Sequence, residues 1–385
     1  MRIAVALVAI LFIFTIFTVP GHAAGYEAGK IVRERGISTH GGLHFDGVND
    51  YVKINLNNVI NGNFTAIVYV NSLELFHTYN TYLSIQEEGK SSATIWMQYV
   101  NNKSYYATYN NSGVKYYFTV GNSINFGVNN FQVLRYDGSK LKGWYGTLTN
   151  EINFNYSYGN PNIVRIGAGY FNNEITDLFY SNIYFVALYN RSLTDAEISQ
   201  VYDYLHNGTG SPVTNGSMLM LTPSGLNIEN EKWNDESGHG NNGTIYGAMP
   251  IPAVPSNQSI SISENTVHLS WSASRYAKYY NVYRAVKTRA GENYTLLAST
   301  TRTHYDDTID AGLNYTYYIT AVNTGENNTT LESVHAIDLY AYIYSEGSGI
   351  LSMGPDSPVL WIFVVAGAAA LVMLSVEEKL GRRLK

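Results

Sequence analysis

The feature that most constrains this 385-residue chain is how residues 26 to about 210 are cut into short pieces. Apolar and aromatic runs such as Ala93–Val100 and Lys115–Val120 are separated by Asn/Gly turns, here Asn110-Asn111-Ser112-Gly113. Within the runs the residues alternate with period two, the pattern of a strand packed on one face. The 34 Tyr and 34 Gly agree with this. Tyr and Thr fit strands, while Asn and Gly fit turns. The expectation is an all-β fold, and the length implies two or three units rather than one core.

Charge and cysteine content exclude some functions. The 24 Lys and Arg against 30 Asp and Glu leave a formal charge of -6, so no basic patch is expected and nucleic acid is not a partner. There is no Cys, so no disulfide framework can staple the units, and their cores alone must hold them.

Gly42 to Val52 reads as strand, tight turn, strand. Leu43 and Phe45 alternate before the turn, and Val52 and Ile54 after it. Asp46-Gly47 is a turn dipeptide, because Gly accepts positive φ and the Asp side chain caps its own backbone. This FDG-x-x-D-Y-V run resembles the opening of laminin-G-like (concanavalin-A-like) jelly-roll domains, with Tyr69 in place of that family's usual strand Trp. A hairpin around Asp137-Gly138 and the Val164-Arg165-Ile166-Gly167 strand are similar to later family segments. The strand Asn182–Leu193, followed by Thr194-Asp195-Ala196-Glu197-Ile198, matches the family's closing strand and helix. Thr194 and Glu197 have capping-box spacing, and Ile198, Val201, Tyr202 and Leu205 share one helical face. Residues 218–249 resemble a family segment that usually precedes the FDG strand, and they read as a permuted edge strand of the same sandwich. The resemblance implies a jelly-roll β-sandwich over residues 24–249.

Pro250 to Pro255 reads as a stiff linker. Residues 250–337 resemble a fibronectin type III domain, an immunoglobulin-like β-sandwich. Trp271 stands where that family has its core Trp, and Tyr315 where it has the tyrosine-corner residue. Residues 338–357 are expected to form a stalk.

The ends suggest location. Met1-Arg2, an apolar run over 3–19 and small residues at 20–24 form a secretory signal, with residues 1–23 removed or retained as an anchor. Residues 358–376 carry no charge and are long enough for a transmembrane helix, and the basic residues within 377–385 place the tail inside. A single-pass membrane protein with its ectodomain outside is expected. Secretion, dense sequons and the absence of Cys fit an archaeal-type cell surface or a virion envelope.

Asn-x-Ser/Thr sequons are expected glycosylation sites at Asn63, Asn102, Asn110, Asn155, Asn207, Asn242, Asn293, Asn314 and Asn327. Asp46, Asn49 and Asp50, or Asp235 and Asn241, are oxygen-rich enough for calcium, though each is also an ordinary turn former. Trp96, Trp144 and the Tyr-rich strands either stack on sugar rings or fill the core. The E-x-D-x-x-E carboxylate strand of β-glucan hydrolases is missing, and no nucleophile elbow, zinc motif or phosphate loop is present, so no catalytic residue is named. The expected function is surface recognition or adhesion, through binding of a glycan or a surface protein by the first sandwich. A structural envelope glycoprotein is the alternative, and a glycan-cleaving enzyme a third reading.

Overall fold

The computed structural model describes residues 26–344 except 76, 156, 289 and 326–328. The alternating runs form two β-sandwiches, with one α-helix among the described residues. In the larger sandwich an eight-stranded sheet packs on a nine-stranded sheet. The eight-stranded sheet has Phe64–Ser72 and Tyr180–Tyr189 at its centre, paired along most of their length. The nine-stranded sheet runs from Leu226–Asn227 at one edge, through Tyr51–Asn55, Ile163–Ile166, Tyr79–Gln86 and Ile95–Val100, to Lys103–Tyr109 and Lys115–Val120 at the other. Inward residues of both sheets, among them Phe45, Val52, Phe64, Tyr82, Tyr99 and Tyr106, form one buried core.

Gln132 crosses that core. Its side-chain oxygen accepts from Tyr82 (3.1 Å), Ser104 (2.7 Å) and Tyr106 (2.7 Å), and its amide nitrogen donates to Tyr99 (2.9 Å). A fully buried amide is tolerated because buried tyrosine and serine hydroxyls satisfy both its oxygen and its nitrogen.

The helix Asp195–Asn207 covers the outer face of the eight-stranded sheet through Ile198, Val201 and Leu205. Thr194 and Glu197 close a capping box, and Arg191 pairs with Glu197 at 2.6 Å. These hydrogen bonds, from Arg191 first, hold the Glu197 carboxyl down at about 2.

Residues 218–249 complete the larger sandwich. Ser217–Leu221 joins the strand Tyr180–Tyr189, and Gly243–Tyr246 pairs with Tyr51–Asn55, setting Ile245 opposite Val52. Trp233 is buried beneath this edge, and its indole N–H donates to the Thr222 carbonyl at 2.7 Å.

The smaller sandwich pairs a six-stranded with a three-stranded sheet. Trp271 meets Tyr280 edge-on at 5.5 Å, and the Tyr315 hydroxyl accepts from the Asp310 N–H at 3.2 Å, the bond expected of a tyrosine corner.

Three sequence boundaries need correction. Tyr26–Val32, expected in the first sandwich, instead pairs antiparallel with Ile337–Ile343, from Tyr26 opposite Ile343 to Val32 opposite Ile337. The expected stalk therefore begins too early: Leu339, Ala341 and Ile343 are core residues of the smaller sandwich, alternating with outward Tyr340 and Tyr342. The expected linker also begins too early, since Met249–Ile251 is an edge strand paired with Gly42–Asp46. Pro250 is tolerated there because an edge strand can forgo one N–H. The Pro250 carbonyl accepts from the Asn323 amide of the smaller sandwich at 2.9 Å. Within the described residues the chain thus crosses between the sandwiches twice, once after Val32 and once after Ile251.

Among the described residues no helix is long and apolar enough to cross a membrane. The expected signal segment (1–23), the membrane span (358–376), the tail (377–385) and Asn327 lie outside the described residues.

Candidate functional site

The outer face of the nine-stranded sheet follows from strand alternation. In Ile95–Val100, Ile95, Met97 and Tyr99 point into the core, so Trp96 and Gln98 point out. Tyr106 faces in, so Tyr105, Ala107 and Tyr109 face out, and in the next strand Lys115 and Tyr117 do the same. Cross-strand pairing sets Ser84 opposite Trp96, Trp96 opposite Ala107, Ala107 opposite Tyr117, and Tyr109 opposite Lys115. Trp96, Tyr105 and Ala107 are buried there as a small cluster with Ala93, and Tyr117 stands exposed beside them.

The hairpin formed by Gly169–Phe171 and Glu174–Thr176 folds over part of this face. It is pinned by Ala93 N–H to the Tyr170 carbonyl and by Asn173 N–H to the Ser91 carbonyl, both 2.8 Å. Tyr170 lies over the buried Arg165 guanidinium at 4.0 Å, and Arg165 also donates to Gln86 at 2.6 Å. Gly169 is required where the hairpin crosses Trp96, because a Cβ there would come within 2.6 Å of the indole.

Between hairpin and sheet lies an open groove of about 400 Å³ lined by Tyr79, Trp96, Gln98, Tyr109, Lys115, Phe171, Thr176 and Asp177. Tyr79 and Phe171 are exposed, whereas Trp96 forms a floor with its indole N–H spent on the Ala93 carbonyl at 2.9 Å. The Lys115 ammonium lies 5.2 Å from the Tyr105 ring and 5.8 Å from the Tyr109 ring. Burial draws the Lys115 pKa down against the opposing charge of Asp177. Burial likewise raises the Asp177 carboxyl, against the pull of His77 and Lys115. Asp177 also holds a left-handed backbone, φ 54°, which is unfavourable for a residue with a side chain, and its carbonyl accepts from Thr81 N–H at 2.8 Å. The groove combines flat apolar faces with donors and acceptors of both charges.

Two larger hollows, of about 640 and 720 Å³, flank the junction of the sandwiches. Between them their described lining offers a single phenol ring, Tyr204. They lack the group of aromatic rings that lines the smaller groove.

The acidic turn residues singled out from sequence are engaged locally. The Asp46 carboxylate accepts from Val48 N–H (2.8 Å) and Asn49 N–H (3.3 Å), and Asp50 accepts from Asp46 N–H (2.8 Å). Asp50 is buried, which pushes its carboxyl up to about 6. Asp235 accepts from Met220, Ser237 and Asn241 backbone N–H groups, all at 2.9 Å. Asn241 ties Asn57 N–H to the Met218 carbonyl. Both sets act as turn clamps, and among the described residues no group of three His, Cys, Asp or Glu side chains is gathered for a metal. Asn63, Asn102, Asn155, Asn207, Asn242 and Asn293 are exposed, while Asn110 and Asn314 are half-buried.

No protein-family model matches the chain. An amylopullulanase of Thermoanaerobacterium saccharolyticum is 33% identical over 115 residues, which is 30% of this chain and only 8% of that protein. Three solved structures are similar to stretches of this chain. A candidate carbohydrate-binding protein from Bacteroides ovatus is 16% identical, covering 57% of this chain and 60% of its own, with a TM-score of 0.43. Domains LG4-5 of the mouse laminin alpha1 chain are 9% identical, covering 91% and 89%, at 0.35. An Fn3-like protein from Clostridium thermocellum is 32% identical, covering 26% of this chain and 98% of its own, at 0.19.

Sequence reasoning named Trp96 and Trp144 together, and the structure separates them. Trp144 lies on the eight-stranded sheet, buried under Arg135 and Lys142, whose cationic groups sit 4.9 and 4.7 Å from its ring. Lys115, Phe171 and Asp177 were missed. Their signal was the alternation of Lys115-Tyr116-Tyr117 and the Asn172-Asn173 turn, but what the hairpin folds onto is a tertiary matter.

Proposed function

We propose that the larger sandwich is a non-catalytic carbohydrate-binding unit displayed at a cell or envelope surface, with the smaller sandwich as its support. The observation that carries this reading is the groove whose exposed rings are Tyr79 and Phe171, with Tyr109 half-buried beside them and Trp96 buried as its floor. Aromatic faces match the C–H faces of pyranose rings, and Lys115, Gln98, Thr176 and Asp177 offer the donors and acceptors that sugar hydroxyls need. Among the described residues this groove carries one carboxylate, Asp177, and the neighbouring hollow one more, Glu87.

Surface display is supported by the apolar runs at 3–19 and 358–376. Exposed sequons such as Asn63, Asn155 and Asn293 would carry glycans there. The test is titration of the full-length protein against a neutral and acidic glycan panel, with and without calcium. Tyr109→Ala and Lys115→Met should each weaken whatever binding is found by about tenfold or more. Silence across the whole panel would remove the reading. Protease added outside intact cells should digest the ectodomain, and protection of the full chain would remove the surface location.

A further inference from the structure

The groove does not end at Tyr109 and Phe171. The same two rings also line a second hollow of about 490 Å³, on their far side. Its other walls are the Glu87–Thr94 loop, the Asn110–Gly113 turn and the Tyr158–Asn160 segment. These walls are built rather than loose. Asn111 N–H reaches the Ser157 carbonyl at 3.0 Å, and its amide donates to the Ser157 hydroxyl at 3.0 Å. Asn110 accepts from the Ser112 and Val114 N–H groups at 3.0 and 2.8 Å.

The two hollows share a chemical character. The first carries one cation, Lys115, and one carboxylate, Asp177. The second carries Lys90 and Glu87, with serine hydroxyls and side-chain amides around them. Each compartment is formally neutral and rich in neutral donors and acceptors. A polyanionic chain would find no net positive charge in either one. Tyr109 and Phe171, placed between the compartments, offer aromatic surface where a chain passes from one to the other.

Building on the proposed carbohydrate reading, we propose that the site is a two-compartment groove that holds an internal run of a neutral oligosaccharide, laid across Tyr109 and Phe171. A single sugar fills only one compartment. The second compartment also borders Asn110, whose sequon would place a glycan inside it. The groove can work as described only if Asn110 stays unmodified.

The test is calorimetric titration of the full-length protein with neutral gluco-, manno- and galacto-oligosaccharides of one to six residues, and with oligogalacturonates of the same lengths. Within the preferred neutral series affinity should rise about tenfold or more from one residue to four. Filling the second compartment with Asn160→Trp, or from its opposite wall with Ser91→Tyr, should shrink that gain toward nothing. Peptide mass spectrometry of the native protein should find Asn110 bare. Binding that is independent of chain length, or unchanged in its length dependence in both variants, would overturn the two-compartment groove while leaving single-sugar binding intact. Preference for oligogalacturonates would overturn its neutral selectivity, and a glycan on Asn110 would overturn the groove itself. Failure of every saccharide to bind would overturn this inference and the carbohydrate reading together.

Discussion

Arg33 donates through Nε to the buried carboxylate of Asp338, across 305 positions of sequence. His335 (2.6 Å) and the Tyr294 hydroxyl (3.1 Å) donate to the same carboxylate. The residue that follows the first strand thus completes a polar cluster on the last strand of the smaller sandwich. Arg33→Met leaves Asp338 short of its charged partner, and the expected loss of stability is about 1–3 kcal/mol. Urea unfolding of the full-length protein would measure it, and an unchanged midpoint would show that His335 and Tyr294 suffice.

The same carboxylate predicts a pH dependence. Burial alone would raise the Asp338 pKa, but the hydrogen bonds from His335 and Arg33 outweigh it and hold the group below the usual carboxylate range. A folded pKa below the unfolded value means the group stabilises the fold above about pH 4, and that contribution is lost as pH falls through the folded value. Asp338→Asn should therefore lose less stability than the wild type on acidification below about pH 4.

Asp50 should behave in the opposite sense. Its folded pKa is raised by burial to about 6, so its stabilising contribution is fully present below the unfolded value and fades as pH rises through about 6. Asn can still accept the Asp46 N–H, so Asp50→Asn should be less sensitive than the wild type between about pH 4 and about pH 7. Parallel pH profiles for the two proteins would contradict the assignment.

Gln132→Leu should cost about 1–3 kcal/mol, because the Tyr82, Tyr99 and Ser104 hydroxyls are left inside the core with fewer partners. The readout is the denaturation midpoint, and retention of wild-type stability would mean that the tyrosines re-pair among themselves.

Trp233→Ala should destabilise the larger sandwich by about 3–5 kcal/mol, since the indole is fully buried at the edge completed by Gly243–Tyr246. If the 218–249 segment were a passive connector, this variant would melt with the wild type.

Much of the local structure was legible in the chain itself. Asp46-Gly47 and Asp137-Gly138 specify their turns through side-chain caps, Thr194 and Glu197 specify a helix start, and Tyr315 reaches back only as far as Asp310. Each relationship is settled within a few residues by backbone geometry and one short polar side chain. The destination of Tyr26–Val32 was not legible, because its residues are largely exposed and carry little apolar pattern to choose a face. Its place comes from the backbone edge offered by Ile337–Ile343 and from Arg33 meeting Asp338. The groove is the same kind of case. Alternation says that Tyr105 and Tyr106 point to opposite faces, but both are tyrosines, so neither announces which face is the core. Packing decided it: Tyr106 found Gln132 and the Trp144 carbonyl inside the sandwich, and Tyr105 was left outside beside Lys115 and Tyr117.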